Sequence, residues 1–175
     1  RHSFGVDQIE AAIRALRANP KSRQVVMSIW HPNYDLGATT KDIPCNDMVM
    51  LRVIDDKLNI TVCNRSNDAI WGAYGANAVQ FAFIQEYIAV RIGLGVGTYT
   101  QVSNNFHAYE WNPYWQFYKE HPQHGGGTYE MNSAGEFPLA TSQHDSELFD
   151  TDLAYLFRMA DCCVDRAAFL DLMEN

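Results

Sequence analysis

A cysteine and an arginine–serine pair lie close together in residues 44–68, PCNDMVMLRVIDDKLNITVCNRSND. Cys45 follows a proline where a loop is expected to meet a strand, and its thiolate could act as a nucleophile. Arg65 and Ser66 offer a planar guanidinium and a hydroxyl, which together could bind a phosphate. Arg23 is a second cation that could stabilise the thiolate. These residue types predict covalent attack by sulfur on a substrate that carries an anionic group.

Each of these residues also has an ordinary structural interpretation. Cys45 could be a small buried hydrophobic residue, as free cysteines usually are. Arg65 could form a salt bridge with Asp68 at a solvated strand end. The remaining thiols lie within a predicted strand or in the helical tail, and for them we favour the structural interpretation: Cys63, Cys162 and Cys163.

Further polar side chains lie downstream of this stretch. Asn77 begins a predicted helix, which it could cap, or it could contact a substrate. If the predicted strand at 98–103 continues, His107 and Tyr109 point to the same side and could contact a sugar hydroxyl or form a core pair. His121 and His124 are spaced like metal ligands, but no third ligand has a suitable spacing, so we expect no metal site.

A predicted β-hairpin positions the thiol and the arginine–serine pair. Residues 48–54 and 58–63 alternate in side-chain character, and Asp-Asp-Lys at 55–57 predicts the turn between them. Apolar side chains share one face of the return strand: Leu58, Ile60 and Val62. The other face carries Asn59, Thr61 and Cys63. The hairpin would place Cys45 and Arg65 on neighbouring strands.

Helices and further strands are expected to surround the hairpin. Residues 7–19 form an amphipathic helix with Asp7 as N-cap, and Pro20 ends it. The other predicted elements are a buried strand at 25–30, a loop at 31–44, a glycine-bearing bend at 71–75, a mostly apolar helix at 76–92 ended by Gly93, a strand at 98–103, a short aromatic helix at 111–119, a mobile loop at 120–145, and closing helices at 146–160 and 165–173.

The composition predicts one globular domain over residues 1–175. The chain is 47% hydrophobic and 13% aromatic, which excludes general disorder, and its net charge of −8 argues against non-specific binding to DNA or RNA. No apolar run has the length of a transmembrane helix, so we expect no membrane partner. Four cysteines without a metal-binding spacing predict reduced thiols in a cytoplasm. The chain begins at Arg1, so we expect that its N-terminal part is missing.

The ordered motifs resemble the thymidylate synthase family, which includes the pyrimidine nucleotide hydroxymethylases. They are a DQI helix, SR before a strand ending in W, PC, a hairpin, RSxD, a glycine, an asparagine and HxY, over about residues 5–110. The resemblance implies an α/β (α+β) fold, a bent mixed β-sheet flanked by helices, that forms a sheet-to-sheet homodimer. It also implies one catalytic domain, a dUMP-like substrate, 5,10-methylenetetrahydrofolate as co-substrate, and no metal.

The resemblance also implies three catalytic roles. Cys45 resembles the nucleophile that adds to C6 of the pyrimidine. Asn77 resembles the asparagine that recognises O4 and N3 of uracil, where an amide can both donate and accept. Asp68 resembles the residue that orders the folate and the base.

Five side chains would bind the nucleotide by the same resemblance. Arg65 and Ser66 resemble phosphate ligands. Arg23 resembles the arginine that one subunit lends to the phosphate in its neighbour. His107 and Tyr109 resemble the pair that contacts the deoxyribose 3′-hydroxyl.

The product and the class of activity are left open by the residues. Family frequency favours the thymidylate synthase reaction, from dUMP to dTMP. Asn46, Gln24 and Asn64 replace the family's histidine, arginine and glutamine, and the YGAN bend and the tail from 111 differ as well. The changed PCN and YGAN segments and the tail favour a specialised hydroxymethylase acting on dUMP or dCMP, in a host cytoplasm if viral. Between these two products we expect the thymidylate synthase reaction, with the hydroxymethylase as the alternative. The rival class is a non-catalytic relative that binds nucleotide or messenger RNA, which the acidic charge and the intact Cys45 disfavour.

Overall fold

The computed structural model describes residues 5–121 and residue 151. The chain divides into two units, Arg1–Leu139 and Ala140–Asn175, and every element below belongs to the first. The predicted loop at 120–145 and the helices at 146–160 and 165–173, with Cys162 and Cys163, lie outside the described residues, apart from residues 120, 121 and 151. The prediction of a single domain over 1–175 stays a prediction.

The elements follow the predicted order. They are α1 (Gln8–Ala18), β1 (Val26–Ser28), α2 (Pro32–Asp35), β2 (Asn46–Ile54), β3 (Lys57–Asn64), β4 (Asn67–Asp68), a π-helical segment (Ala69–Ala76), α3 (Asn77–Ile92), β5 (Gly95–Ser103), β6 (Phe106–His107) and α4 (Pro113–Glu120). Asp7 caps α1 by accepting a hydrogen bond from the Glu10 N–H, as predicted. Gly93 ends α3 in the left-handed conformation, with φ of 75°.

The central sheet has four strands in the order β1-β2-β3-β5. β1–β2 and β2–β3 are antiparallel and β3–β5 is parallel, so the sheet is mixed and the predicted fold class is confirmed. The predicted hairpin is β2–β3, and its turn residues Asp55 and Asp56 have φ of 50° and 56°. Such positive angles match the twist of a tight hairpin. The bend of the sheet and its pairing with a second copy stay predictions.

Helices α1 and α3 cover one face of the sheet. The alternation of β3 places Leu58, Ile60 and Val62 in the core, each at most 1% exposed, as predicted. Ile13 of α1 and Ile88 of α3 pack into the same cluster and are 0% exposed. Burial of each such side chain contributes about 1.5–3 kcal/mol. This packing therefore fixes the direction of the strands that carry the polar residues.

The opposite face of the sheet exposes apolar side chains. Val26, Met48, Met50 and Val102 are between 38% and 54% exposed. Val26 pairs with Met50, and Cys63 lies between Met48 and Val102 in the register of the three strands. The described part of the chain thus has an open apolar face that crosses the whole sheet, here called the open face.

Two predicted irregular segments contain helix. The predicted loop at 31–44 includes α2, because Pro32 suits the first helical position and the His31 side chain accepts from the Asn33 N–H. The predicted bend at 71–75 lies inside the π-helical segment, which runs directly into α3. Gly75 departs from helical geometry there, with φ of −111° and ψ of −122°, so a kink takes the place of the bend.

Candidate active site

Cys45 and Arg65 meet at the open end of the hairpin. The backbone N–H of Arg65 donates to the backbone carbonyl of Cys45 at 3.0 Å. In the Arg65 side chain, the Nη2 atom lies 4.0 Å from the Cys45 Sγ. The guanidinium also donates to the carbonyls of Pro44 and Ile43, at 2.9 Å each. Cys45 is exposed, so it is not a buried hydrophobic residue. The chain therefore brings an accessible thiol and a cation together, as predicted.

The guanidinium of Arg65 keeps donors for a ligand. Its described hydrogen bonds use Nε and Nη2, which leaves the two Nη1 N–H groups facing no described acceptor. It donates to backbone carbonyls instead of forming the alternative salt bridge with Asp68. Burial raises the pKa of the nearby Asp47 carboxyl, and the Arg65 charge acts in the opposite direction. Ser66 follows directly and is half-buried, which suits the predicted phosphate pair.

Asp68 has one carboxylate oxygen engaged and one without a partner. Its Oδ1 accepts from the N–H groups of Ile70 at 3.0 Å and Trp71 at 2.6 Å, capping the π-helical segment. Its Oδ2 is buried and has no hydrogen-bond partner. A buried acceptor without a hydrogen-bond partner is rare, because burying it unpaired costs free energy. Oδ2 can therefore accept from a ligand donor.

His107 lies opposite Asp68, and Tyr109 contacts His107. β4 and β6 are paired in parallel, with Asp68 opposite His107. The two rings meet edge to face with centroids 5.1 Å apart, and the His107 Nδ1 lies 2.8 Å from the Asn105 Oδ1. Tyr109 is 45% exposed, so the pair is not part of the core. The strand does not continue through Tyr109, because β5 ends at Ser103 and β6 at His107. The two rings are nevertheless in contact, and the contact with a sugar hydroxyl stays a prediction.

Asn77 is the first residue of α3 but does not cap it. The N-cap position is Ala76, without a side-chain cap hydrogen bond, and the Asn77 Nδ2 donates to the Asn67 Oδ1 at 3.1 Å. The Tyr99 hydroxyl donates to the Asn77 carbonyl at 3.4 Å. Burial raises the pKa of Tyr99 to about 12. The capping alternative for Asn77 is wrong, and its amide is held beside β4.

A cluster of polar side chains next to Asn77 was missed by the sequence reasoning. Asn67 is 2% exposed, and its Nδ2 donates to the Gln101 Oε1 at 2.8 Å and the Ser103 Oγ at 3.0 Å. Ser103 also lies 3.4 Å from the Asn64 Nδ2. The signal was the alternation of β5, which puts Gln101 and Ser103 on the same side as the core residue Tyr99.

Arg23 is not brought to this group within one chain. It precedes β1, where the Val25 carbonyl accepts from the Leu51 N–H. Leu51 lies six residues along the strand from Cys45, which is about 20 Å at the rise of a β-strand. Arg23 is exposed near the far end of the hairpin. The geometry is compatible with a site in another subunit and excludes a direct contact with Cys45 in its own.

The described residues contain neither a cluster of metal ligands nor a helix that could span a membrane. Among residues 5–121 and 151, no three His, Cys, Asp or Glu side chains cluster closely enough to bind a metal ion. No helix in the same residues is long and apolar enough to cross a membrane.

The family follows from a match over most of the chain. Residues 1–144 match the family model described as thymidylate synthase. The chain belongs to the thymidylate synthase family. The resemblance seen in the sequence motifs is thereby confirmed. The structure places the PC, RSxD and HxY motifs at one end of the sheet.

The chain is similar to two phage proteins and one archaeal protein of this family. It is 50% identical over 111 residues to a deoxyuridylate hydroxymethyltransferase of Pseudomonas phage M6, covering 63% of this chain and 32% of the relative. It is 39% identical over 105 residues to a deoxyuridylate hydroxymethyltransferase of Bacillus phage SP01, covering 59% and 27%. It is 38% identical over 112 residues to a candidate thymidylate synthase of Methanothermobacter thermautotrophicus, covering 64% and 49%. The chain thus spans half or less of each relative.

Two departures from the thymidylate synthase pattern contact each other. By the resemblance, Asn46 stands where the family has a histidine and Asn64 where it has a glutamine, and the Asn46 Nδ2 donates to the Asn64 Oδ1 at 2.5 Å. They also pair directly across β2 and β3. The replacements therefore act as one unit beside the thiol. The third departure, Gln24, is exposed next to Arg23 and away from this end of the sheet.

Proposed function

We propose that this protein transfers a one-carbon unit from 5,10-methylenetetrahydrofolate to C5 of dUMP, with Cys45 as the nucleophile. The observation that carries the proposal is the exposed Cys45 thiol with the Arg65 guanidinium 4.0 Å from its sulfur. Membership of the thymidylate synthase family and the deoxyuridylate substrate in the names of both phage relatives support it.

The first step is the addition of the Cys45 thiolate to C6 of uracil. C5 of uracil is a poor nucleophile, and the new S–C6 bond turns it into the carbon of an enolate with negative charge on O4. A hydrogen-bond donor aimed at O4 stabilises that charge. The Asn77 Nδ2 keeps one N–H beyond its bond to Asn67, and this N–H is the proposed donor. The Arg65 charge favours the thiolate form of Cys45.

The second stage forms the bond between C5 and the methylene carbon. C5 attacks that carbon, then loses its proton, and elimination of tetrahydrofolate leaves an exocyclic methylene on the pyrimidine. Transfer of a hydride from the eliminated tetrahydrofolate, which becomes dihydrofolate, gives a methyl group, whereas addition of water with loss of its proton gives a hydroxymethyl group. Either addition restores the ring double bond and releases the Cys45 thiolate. The unpartnered Oδ2 of Asp68 is the proposed acceptor for a donor of the folate or the base.

The remaining candidate residues bind the nucleotide in this proposal. Arg65, through Nη1, and Ser66 bind the phosphate, and a guanidinium is well suited to that role. His107 and Tyr109 bind the 3′-hydroxyl of the deoxyribose. The position of His107 opposite Asp68, with the Tyr109 ring in contact with it, supports this assignment.

A homodimer through the open face would complete the phosphate site. An exposed apolar surface of this kind marks an interaction site, and the proposed occupant is the open face of a second copy. Arg23 lies about 20 Å from Cys45 in its own chain, so the proposal assigns it to the phosphate of the neighbouring subunit. We expect the reaction to take place in a cytoplasm, that of the host if the protein is viral.

Two products are consistent with the site. Hydroxymethylation is supported by the names of the two phage relatives and by the Asn46–Asn64 departure beside Cys45. Methylation to dTMP is supported by the family description and by the archaeal relative. The two reactions share the covalent intermediate and differ in the last addition, which is of water for the hydroxymethyl product and of hydride for the methyl product.

The covalent step is tested by incubating the complete protein with 5-fluoro-dUMP and methylenetetrahydrofolate. Fluorine cannot leave C5 as a proton does, so we expect a stable adduct with the summed mass of both ligands on Cys45. Protein without an adduct would favour the non-catalytic nucleotide-binding relative. With dUMP, the product mass then distinguishes the two outcomes, because the hydroxymethyl product is one oxygen atom heavier than dTMP.

A further inference from the structure

A series of hydrogen-bonded side-chain amides leads to Asn77 and begins at a backbone carbonyl, which can only accept a hydrogen bond. The Gln101 Nε2 donates to the backbone carbonyl of Ala73 at 2.8 Å, inside the π-helical segment. A carbonyl oxygen has no proton to donate, so it fixes which end of the Gln101 amide is nitrogen. The Gln101 Oε1 must then face the next residue as an acceptor. The orientation of Gln101 is thus set by the backbone.

The orientation of Gln101 in turn fixes the orientation of Asn67, and Asn67 fixes that of Asn77. The Gln101 Oε1 accepts from the Asn67 Nδ2 at 2.8 Å, which leaves the Asn67 Oδ1 to accept from the Asn77 Nδ2 at 3.1 Å. Each amide donates from nitrogen to an oxygen, and a flip of one would put two oxygens or two nitrogens in contact. Asn77 is therefore held in a single orientation.

The fit around this contact leaves little freedom for rearrangement. Asn67 is 2% exposed. A Cβ atom on Gly72 would lie 2.3 Å from the Asn67 Oδ1 and 3.1 Å from the Asn77 Nδ2. Only a residue without a side chain permits the approach of the two amides, so the Asn67–Asn77 hydrogen bond is built into the packing.

We propose that Asn67 and Gln101 determine the choice of base by fixing the orientation of the Asn77 amide, an inference that rests on the proposed function. With Nδ2 held towards Asn67, Asn77 presents an N–H to O4 of uracil and Oδ1 to its N3–H. Cytosine has the reverse pattern, with a donor at N4 and an acceptor at N3. Binding cytosine would require a flipped Asn77, whose Oδ1 would face the Asn67 Oδ1. Asn67 and Gln101 are thus positioning residues that select uracil.

The test compares the dissociation constants of dUMP and dCMP by titration calorimetry with the complete protein. Gln101→Met keeps the volume but removes the amide that fixes Asn67, whose other partner, the Ser103 hydroxyl, can both donate and accept. We expect the preference for dUMP over dCMP to fall about tenfold, mainly through tighter dCMP binding. Ser103→Ala removes a hydrogen bond to Asn67 without changing the polarity of the chain, so it should keep the preference.

Loss of structure alone would weaken both nucleotides equally and leave their ratio unchanged. If Gln101→Met is unfolded by circular dichroism, Asn67→Ser serves instead, since a hydroxyl can pair with either orientation of Asn77. An unchanged ratio in the folded variant would overturn the inference while leaving the proposed function intact. Wild-type protein that binds dUMP and dCMP equally would also overturn it. Wild-type protein that binds neither nucleotide would overturn the proposed function, and the inference with it.

Discussion

The Nη2 atom of Arg65 lies 4.0 Å from the Sγ atom of Cys45, and the same guanidinium holds the loop that carries the thiol through the carbonyls of Ile43 and Pro44. Arg65 therefore joins two functions in one side chain. In the proposed reaction it positions the nucleophile by hydrogen bonds, and it places a positive charge where a thiolate and a substrate phosphate would both be stabilised.

Cys45→Ser should abolish turnover while leaving dUMP affinity largely intact. A serine hydroxyl is a poor nucleophile without a base, and the substitution removes no proposed nucleotide ligand. Turnover by product mass and dUMP binding by calorimetry test this expectation. Cys63→Ser is the matched control, because Cys63 is also a free thiol and the proposed reaction gives it no part in attack or in nucleotide binding. Turnover by the Cys45 variant at the wild-type rate would refute the assignment of the nucleophile.

Arg65→Lys should weaken dUMP binding by about tenfold or more and slow the formation of the 5-fluoro-dUMP adduct. A lysine keeps the charge but cannot hold two carbonyls and a phosphate with one planar group. Arg14→Lys is the control, since Arg14 is exposed on α1 and pairs only with Glu10 among the described residues. Equal dUMP affinity and adduct rate in the two variants would contradict the role of Arg65.

Asn77→Asp should shift the nucleotide preference from dUMP towards dCMP. A protonated carboxyl can accept from N4 and donate to N3 of cytosine, whereas the asparagine amide complements uracil. A competition assay with both nucleotides measures the shift. A variant that retains the wild-type preference for dUMP would show that Asn77 does not read the base.

Gly72→Ala should both destabilise the fold and impair dUMP binding. The new Cβ would lie 2.3 Å from the Asn67 Oδ1, so the two amides must separate, at a cost of about 1–3 kcal/mol. Urea denaturation and dUMP titration are the measurements. Gly95→Ala is the control, because its Cβ would meet the Lys57 Cγ at an ordinary 3.4 Å. Similar stability and dUMP affinity in both variants would show that the approach at Gly72 is not constrained.

Met50→Lys should convert the proposed dimer to a monomer and weaken dUMP binding. A charge in the middle of the open face would have to be buried on pairing, and the loss of the dimer removes Arg23 from the neighbouring site. Sedimentation measures the mass, and Val79→Lys, on an α3 residue that is 70% exposed, is the control. A Met50→Lys protein that sediments like the wild type would show that copies do not pair through this face.

Sequence patterns alone predicted the local elements and the residues near the thiol. Alternation in 48–63 predicted the β2–β3 hairpin and its core face, and a 3.6-residue period predicted α1, because both patterns report short-range geometry. The hairpin then required Cys45 and Arg65 to be neighbours. The ordered motifs added the family, which the family model confirms, and the roles proposed for Asp68, Asn77, His107 and Tyr109.

Only the tertiary structure decided how the polar residues contact one another. Asn67 and Gln101 are 34 residues apart, and their hydrogen bond depends on the parallel register of β3 and β5. The pairing of Asp68 with His107 depends likewise on how β6 returns to β4. No local period encodes such registers, since they depend on contacts between residues far apart in the sequence. The orientation of the Asn77 amide, on which the choice of base is proposed to rest, is therefore a property of the folded chain.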